Sequence, residues 1–169
     1  MPDRRQSSAD SWPPRIVACV GAVVLGDASS HGERALWVRQ AQGHSLAGQW
    51  SIPWGIVDPD ESPDAAALRE TVEEGGVTAR IEGLLGVQNL RREGWIAILF
   101  LCRHVSGVPV SDGGLETDGA SYFSVEQMDA FDEPFEPWCE WLVRRVLRGE
   151  YRVIPPEESN PYQPRVAFF

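Results

Sequence analysis

Glu70, Glu73 and Glu74 stand at i, i+3 and i+4 within the run Arg69-Glu70-Thr71-Val72-Glu73-Glu74. On a helix that spacing sets three carboxylates on one turn. Like charges so placed repel by a few tenths of a kcal/mol when exposed, and by more when water is excluded. A helix built only for solubility more often alternates glutamate with lysine, whereas here the nearest cation is Arg69. Crowded oxygen donors without lysines suit a hard divalent cation. Taken alone, the run is explained more simply as a solvated acidic face.

The flanking residues supply the helix. Ser62 suits an N-cap, Pro63 the first helical position and Asp64 the positive end of the dipole. Gly75-Gly76 supplies the stop. Between them Ala65, Leu68 and Val72 recur at helical spacing as the expected apolar face, with the three glutamates on another. Upstream, Ile16–Leu25 is apolar on both faces, as a strand covered on both sides would be. Ala35–Arg39 is a plausible partner strand, 40–49 a loop, and Trp50-Ser-Ile-Pro-Trp-Gly55 a short extended segment, since Pro53 forces its predecessor out of helical geometry. Downstream, Val77–Leu90 holds one or two strands, Trp95–Cys102 a central strand, 106–114 a loop and Ala120–Val125 a short strand. Ser124 opens a short helix to Met128. Pro137–Leu147 reads as a second long helix with Trp138, Leu142 and Val146 as its stripe. Strands and helices mix without βαβα alternation, which implies a mixed sheet with helices on its faces.

The wider spacing changes the reading of the acidic run. Gly55, Glu61, Arg69, Glu70, Glu73, Glu74, Gly76 and Val77 match G-x5-E-x7-R-E-U-x-E-E-x-G-U, where U is a large aliphatic residue, with Thr71 the single mild departure. This resembles the Nudix box, and residues 15–147 resemble the Nudix family in the order of their elements. The resemblance implies an α/β fold, the Nudix-type α/β/α sandwich with a mixed β-sheet between helices. It implies a Mg²⁺-dependent hydrolase (Mn²⁺ can substitute) that cleaves a phosphoanhydride bond of a nucleoside diphosphate linked to another group, or of a nucleoside triphosphate. Glu70, Glu73 and Glu74 would bind metal together with the backbone carbonyl of Trp54, and Arg69 would hold a glutamate by a charge-assisted bond. Glu61 would steady the structure. The general base would be a box glutamate or a later acid, for which Glu116 and Asp118 are candidates. Trp54 stands where many members have glycine. Trp50, Trp54 and Trp95 are candidates to stack on a base, although each is more often explained by core packing. Thr78–Ile98 holds neither the proline nor the tyrosine that marks hydrolases of ADP-ribose and of dinucleoside polyphosphates, which weakens both assignments. The alternative within the family is a nucleotide-sensing module that does not cut its ligand; such domains often lose box glutamates, and none is lost here.

Composition narrows the class further. A chain of 169 residues with 43% hydrophobic content fits one domain with a full core. A net charge of −10 argues against a grip on long nucleic acid but not against a small phosphorylated substrate, because bound metal inverts the local field. Cys19, Cys102 and Cys139 are too far apart for a C-x-x-C site and read as buried thiols. His31, His44 and His104 have no metal or triad spacing and read as loop or surface residues, with His44 in a loop able to face a pocket. Residues 1–14 are polar and read as a disordered or loosely attached arm, and 15–149 as the domain. The proline-rich 150–169 reads as an extended tail whose apolar end, Val166-Ala-Phe-Phe169, packs on its own domain or on a second copy, which makes a homodimer an open possibility. No secretory signal is visible and the run 16–25 is too short to span a bilayer, so no membrane association and a cytoplasmic location are expected.

Overall fold

The structure is a computed structural model that describes residues 16–26, 33–157, 159, 161 and 166–169. The expected N-terminal arm and residues 27–32, His31 among them, lie outside the described residues. The elements in order are β1 (Val17–Leu25), β2 (Ala35–Gln40), β3 (Trp50–Ser51), β4 (Trp54–Ile56), α1 (Pro63–Gly75), β5 (Val77–Asn89), β6 (Trp95–Gly107), β7 (Thr117–Phe123), α2 (Val125–Asp129), α3 (Pro137–Leu147), β8 (Pro156–Glu157) and β9 (Ala167–Phe168).

The doubly apolar run forms the central strand. β1 lies parallel to β6 along its whole length, from Val17 opposite Trp95 to Leu25 opposite Arg103. It is antiparallel to β4, with Gly21 opposite Trp54, and meets β2 at Leu25–Ala35. β5 pairs with β6, while β3 and β7 pair with β2, all antiparallel. Successive β1 side chains go to opposite faces. Val20, Ala22 and Val24 pack with Ala66 and Ala67 of α1. Val23 and Leu25 pack with Val143 and Val146 of α3. The result is the expected sandwich, a mixed sheet between helices.

Several boundaries and faces depart from the periodic reading. Val77–Asn89 is one long strand, bent by register shifts at 78/79, 81/83 and 84/86. β6 continues past Cys102 to Gly107, β7 begins at Thr117, and His104 therefore lies on a strand, its Nδ1 2.8 Å from the Tyr122 hydroxyl. Ser62 occupies the N-cap of α1 but makes no side-chain capping bond; Pro63 starts the helix as expected. The buried stripe of α1 is Ala66, Ala67, Glu70, Thr71 and Glu74, whereas Ala65 and Val72 face solvent. Small residues on that face let the helix lie close to the sheet: a Cβ on Gly75 would come within 2.8 Å of Leu36. The stripe of α3 centres on Cys139, Val143 and Val146, with Trp138 and Leu142 packed at its margin. The three cysteines are free and buried.

The C-terminal segment adds to both faces. Ile154 exchanges two backbone hydrogen bonds with Leu84, at 2.8 and 2.9 Å. Val153 packs on the α3 side. The Phe168 ring lies 5.6 Å from Phe100 on the α1 side, held by the β8–β9 hairpin.

Candidate active site

α1 is amphipathic in an unusual sense, because two of the residues it buries are acids. Glu70 is 5% exposed and Glu74 2%. The exposed Glu116, from the segment before β7, joins them. One carboxylate oxygen from each of the three lies within 4.8 Å of the others. Glu73 does not join: it points outward and is bound by Arg69 at 2.8 Å. Of the acids expected to share one site, the structure therefore gathers Glu70, Glu74 and Glu116 and leaves Glu73 outside that group. Asp118, the other later candidate, is engaged by Arg39 at 2.7 Å.

Arg69 organises the outer side of the cluster. Its guanidinium donates to both oxygens of Glu61, through Nη2 at 2.9 Å and Nε at 3.1 Å. Nη1 reaches Glu70 at 2.7 Å and Glu73 at 2.8 Å, and Nη2 the Ile56 carbonyl at 3.2 Å. Such planar, forked donation is specific to arginine. The Glu61 hydrogen bonds hold the Arg69 proton most strongly and raise its pKa, while Arg69 in turn lowers that of Glu61. Glu61 thus fastens Arg69, and Arg69 fixes the Glu70 carboxylate.

The inner side lacks such compensation. Burial raises the Glu70 pKa despite Arg69. Burial pushes Glu74 up to about 8, against the opposing Trp54 N–H, which donates to Glu74 Oε2 at 2.9 Å. The proximity of Glu70 and Glu116 raises it further. Gly55 makes the approach possible, because a Cβ there would overlap the Glu70 carboxylate. Gly76 ends α1 in a left-handed conformation with φ 69°. Thr71, the one departure from the box, is fully buried and donates its hydroxyl to the Ala67 carbonyl at 2.8 Å, so a polar group fits the aliphatic position.

A cleft of about 440 Å³ opens on the cluster. Trp54, Trp95, His44, Ile56, Asp58 and Gln40 line it beside Gly55, Arg69, Glu70, Glu74 and Glu116. Trp95 also carries the Arg92 guanidinium 4.6 Å from its ring centroid. Trp50 is corrected from base stacking to core. It is 7% exposed, packs edge-on against Phe123 and Phe131, and donates its indole N–H to Glu133 at 2.7 Å. Residues not singled out by sequence reasoning contribute as well. Gln40, buried beside Glu74, donates to Ser51 Oγ at 3.2 Å. Thr117 donates to the Glu74 carbonyl at 2.9 Å. Asp112 accepts from four consecutive backbone N–H groups around Glu116. No local pattern marks these three, because each acts across a long sequence gap or through backbone.

A NUDIX domain model matches residues 16–142. The chain belongs to the Nudix hydrolase family. A "MutT-like protein" of Streptomyces ambofaciens is 33% identical over 100 residues, covering 59% of each chain. The human "8-oxo-dGDP phosphatase NUDT18" is 32% identical over 96 residues, which are 57% of this chain and 29% of that one. The chain therefore spans less than two thirds of the length of these curated relatives. A NUDIX hydrolase crystal structure from Nitrosomonas europaea superposes with a TM-score of 0.66 at 19% identity, covering 79% of this chain and 71% of that one, a likeness of fold. The Nudix box is thus the stretch from Gly55 to Val77. Among the described residues no helix is long and apolar enough to cross a membrane.

Proposed function

We propose that this Nudix protein is a Mg²⁺-dependent hydrolase, with Mn²⁺ as a substitute, that cleaves a phosphoanhydride bond in a nucleoside diphosphate linked to another group or in a nucleoside triphosphate. The observation that carries the reading is the meeting of Glu70, Glu74 and Glu116 at one cleft, where among the described residues Arg69, bound to Glu70, lines the cleft as a single guanidinium beside these three carboxylates. Buried carboxylates side by side are costly unless paired or bound to metal. An all-oxygen donor set fits a hard divalent cation. Names of relatives support the substrate class: 8-oxo-dGDP for the human protein, and 8-oxo-dGTP for a putative diphosphatase of Bacillus subtilis.

In this reading Glu70, Glu74 and the Trp54 carbonyl hold the cation, with Glu116 completing the group. A divalent cation there supplies Lewis acidity, neutralising phosphate oxygens and easing the deprotonation of water. Glu116, on the open side of the cleft, accepts the proton of the attacking water. Water attacks phosphorus and the anhydride oxygen leaves with the second phosphate. Arg69 keeps Glu70 aimed at the cleft and Glu61 keeps Arg69 in place, while Glu73 acts through Arg69. Trp54 and Trp95 border the base. The catalytic unit is 15–149, with 1–14 and 150–169 as arms, and it works in the cytoplasm on small nucleotides. A homodimer formed through the tail is checked by light scattering.

The test is a panel of nucleoside triphosphates, oxidised nucleotides and nucleoside diphosphate conjugates with Mg²⁺ and Mn²⁺, read as phosphate, pyrophosphate and nucleoside monophosphate. Metal-dependent release of monophosphate is expected. Binding of a member without turnover on any would replace the enzyme by a nucleotide-sensing module.

A further inference from the structure

Glu70 and Glu74 are fixed by a helix, but Glu116 sits on a segment without regular structure between β6 and β7. Four consecutive backbone N–H groups at its end turn to one side chain. Asp112 Oδ1 accepts the backbone N–H groups of Gly114, Leu115 and Thr117 at 3.0, 2.9 and 3.2 Å. Its Oδ2 accepts the N–H of Glu116 itself at 2.8 Å. The wrap is possible because Gly113 and Gly114 take φ of 84° and 97°, values that residues with a Cβ rarely adopt. The wrapped loop is then pinned to its neighbours. Thr117, fully buried, donates to the Glu74 carbonyl, the Val110 N–H to the Gly75 carbonyl at 3.1 Å, and the Ala41 N–H to the Glu116 carbonyl at 2.8 Å. His44 Nε2 lies 2.9 Å from the Leu115 carbonyl.

We infer that Asp112 is the positioning residue for Glu116: by collecting the four N–H groups that surround it, the Asp112 carboxylate sets the third acid of the cluster at ligand distance from Glu70 and Glu74. This rests on the hydrolase reading above for the purpose of the cluster, but its structural content does not. Without that carboxylate the N–H groups of Leu115, Glu116 and Thr117 would turn to water, the Gly114 N–H keeping the Thr117 carbonyl at 2.8 Å, and Glu116 would sample more positions, each with weaker purchase on a cation held by the helix. Residues that orient a ligand typically change metal affinity by ten- to a hundredfold when removed.

Asp112→Asn is the discriminating variant. Its carbonyl replaces Oδ1 and keeps three of the bonds, while its amide faces the Glu116 N–H donor to donor. Asp112→Ala removes all four. Two readouts precede any activity measurement: amide exchange at 114–117 in the metal-free protein, and the Mn²⁺ dissociation constant. The account expects faster exchange and about tenfold weaker Mn²⁺ binding for alanine, an intermediate effect for asparagine, and a fall in kcat larger than the change in KM. In a Glu116→Gln background, adding Asp112→Asn should weaken Mn²⁺ binding no further, because the group it positions is already gone. If the alanine variant does not fold, the asparagine variant decides alone. Wild-type exchange and Mn²⁺ affinity in a folded Asp112→Asn protein, or full additivity with Glu116→Gln, would overturn the assignment. Mn²⁺ binding that is indifferent to Glu70→Gln, Glu74→Gln and Glu116→Gln would instead remove the metal reading, leaving the exchange result to judge Asp112.

Discussion

The two faces of the sheet are buried to similar depth but with different material. On the α3 side the interior is a pile of rings: Trp37 lies 4.6 Å from Phe135, Phe123 4.7 Å from Phe131, and Trp50 joins them edge-on. The Trp50 indole N–H is satisfied at the rim by Glu133, and the cost on this face is the Trp37 indole N–H, buried without a hydrogen-bond partner among the described residues. On the α1 side the helix offers alanine, threonine and two buried carboxylates. The first face removes large apolar area from water and meets few electrostatic costs. The second gives up that gain at Glu70 and Glu74 to bring acids to a cleft. One layer thus carries the stability against which the other can keep costly buried acids.

Breaking the aromatic layer should have the largest effect on stability. Phe135→Ala should cost about 3–5 kcal/mol, read from denaturant unfolding, with Mn²⁺ affinity nearly unchanged in the folded fraction. A matching loss of metal affinity would mean that the faces are not separable.

The opposite sign is expected on the α1 face. The folded-state pKa of Glu74 is raised to about 8 from an ordinary 4.5, so the fold binds this proton more tightly than the unfolded chain does. Its contribution is therefore most favourable below pH 4.5 and is lost as pH rises through about 8. Glu74→Gln abolishes that loss. The metal-free variant should be more stable than wild type by a few kcal/mol near pH 8–9, with the difference shrinking towards pH 5, and Mg²⁺ should narrow it by stabilising wild type. A metal-free variant less stable than wild type at pH 8 would show that the buried acid is not a liability.

Glu61 gives a smaller effect of the reverse kind. Arg69 lowers its pKa, so the pair stabilises above the ordinary 4.5 and the contribution disappears as pH falls below it. Glu61→Gln should cost about 1 kcal/mol at pH 7, and the cost should shrink as pH falls below 4.5. It should also weaken turnover through Arg69 more than it weakens substrate binding. A cost independent of pH would assign Glu61 to packing rather than charge.

The smallest expected change is at the cleft mouth. Trp54→Gly should shift KM or substrate preference several-fold while leaving metal dependence intact. Equal selectivity across the nucleotide panel would place the Trp54 ring outside the substrate path.

Much of this was legible in the sequence because it is written in local spacing. The apolar run at β1, the helix bounded by Pro63 and Gly76, and the box itself each occupy one continuous stretch. Apolar spacing sets the face of α1 one position out of phase, because Ala66 and Ala67 pack by their small size and Val72 is left 50% exposed. Trp50 and Trp54 looked alike on paper. Only the tertiary packing distinguishes a ring sunk among phenylalanines from a tryptophan that lines the cleft. Glu73 and Glu74 are neighbours in the chain yet divide between Arg69 and the cleft, a difference of about 100° around a helix that the spacing contains but does not assign. Gln40 reaches Ser51 across 11 positions and Asp112 acts through backbone atoms, where no motif reaches.

The central claim is that the acids buried by α1 do chemistry. It is tested most directly by turnover against Mg²⁺ concentration for wild type, Glu70→Gln, Glu74→Gln and Glu116→Gln, on the best substrate of the panel. Glu70→Gln and Glu74→Gln should need more Mg²⁺ and lose on the order of a hundredfold in turnover, partly restored at high metal, while Glu116→Gln should stay slow even when metal saturates. Three variants with wild-type turnover and an unchanged Mg²⁺ requirement would contradict it.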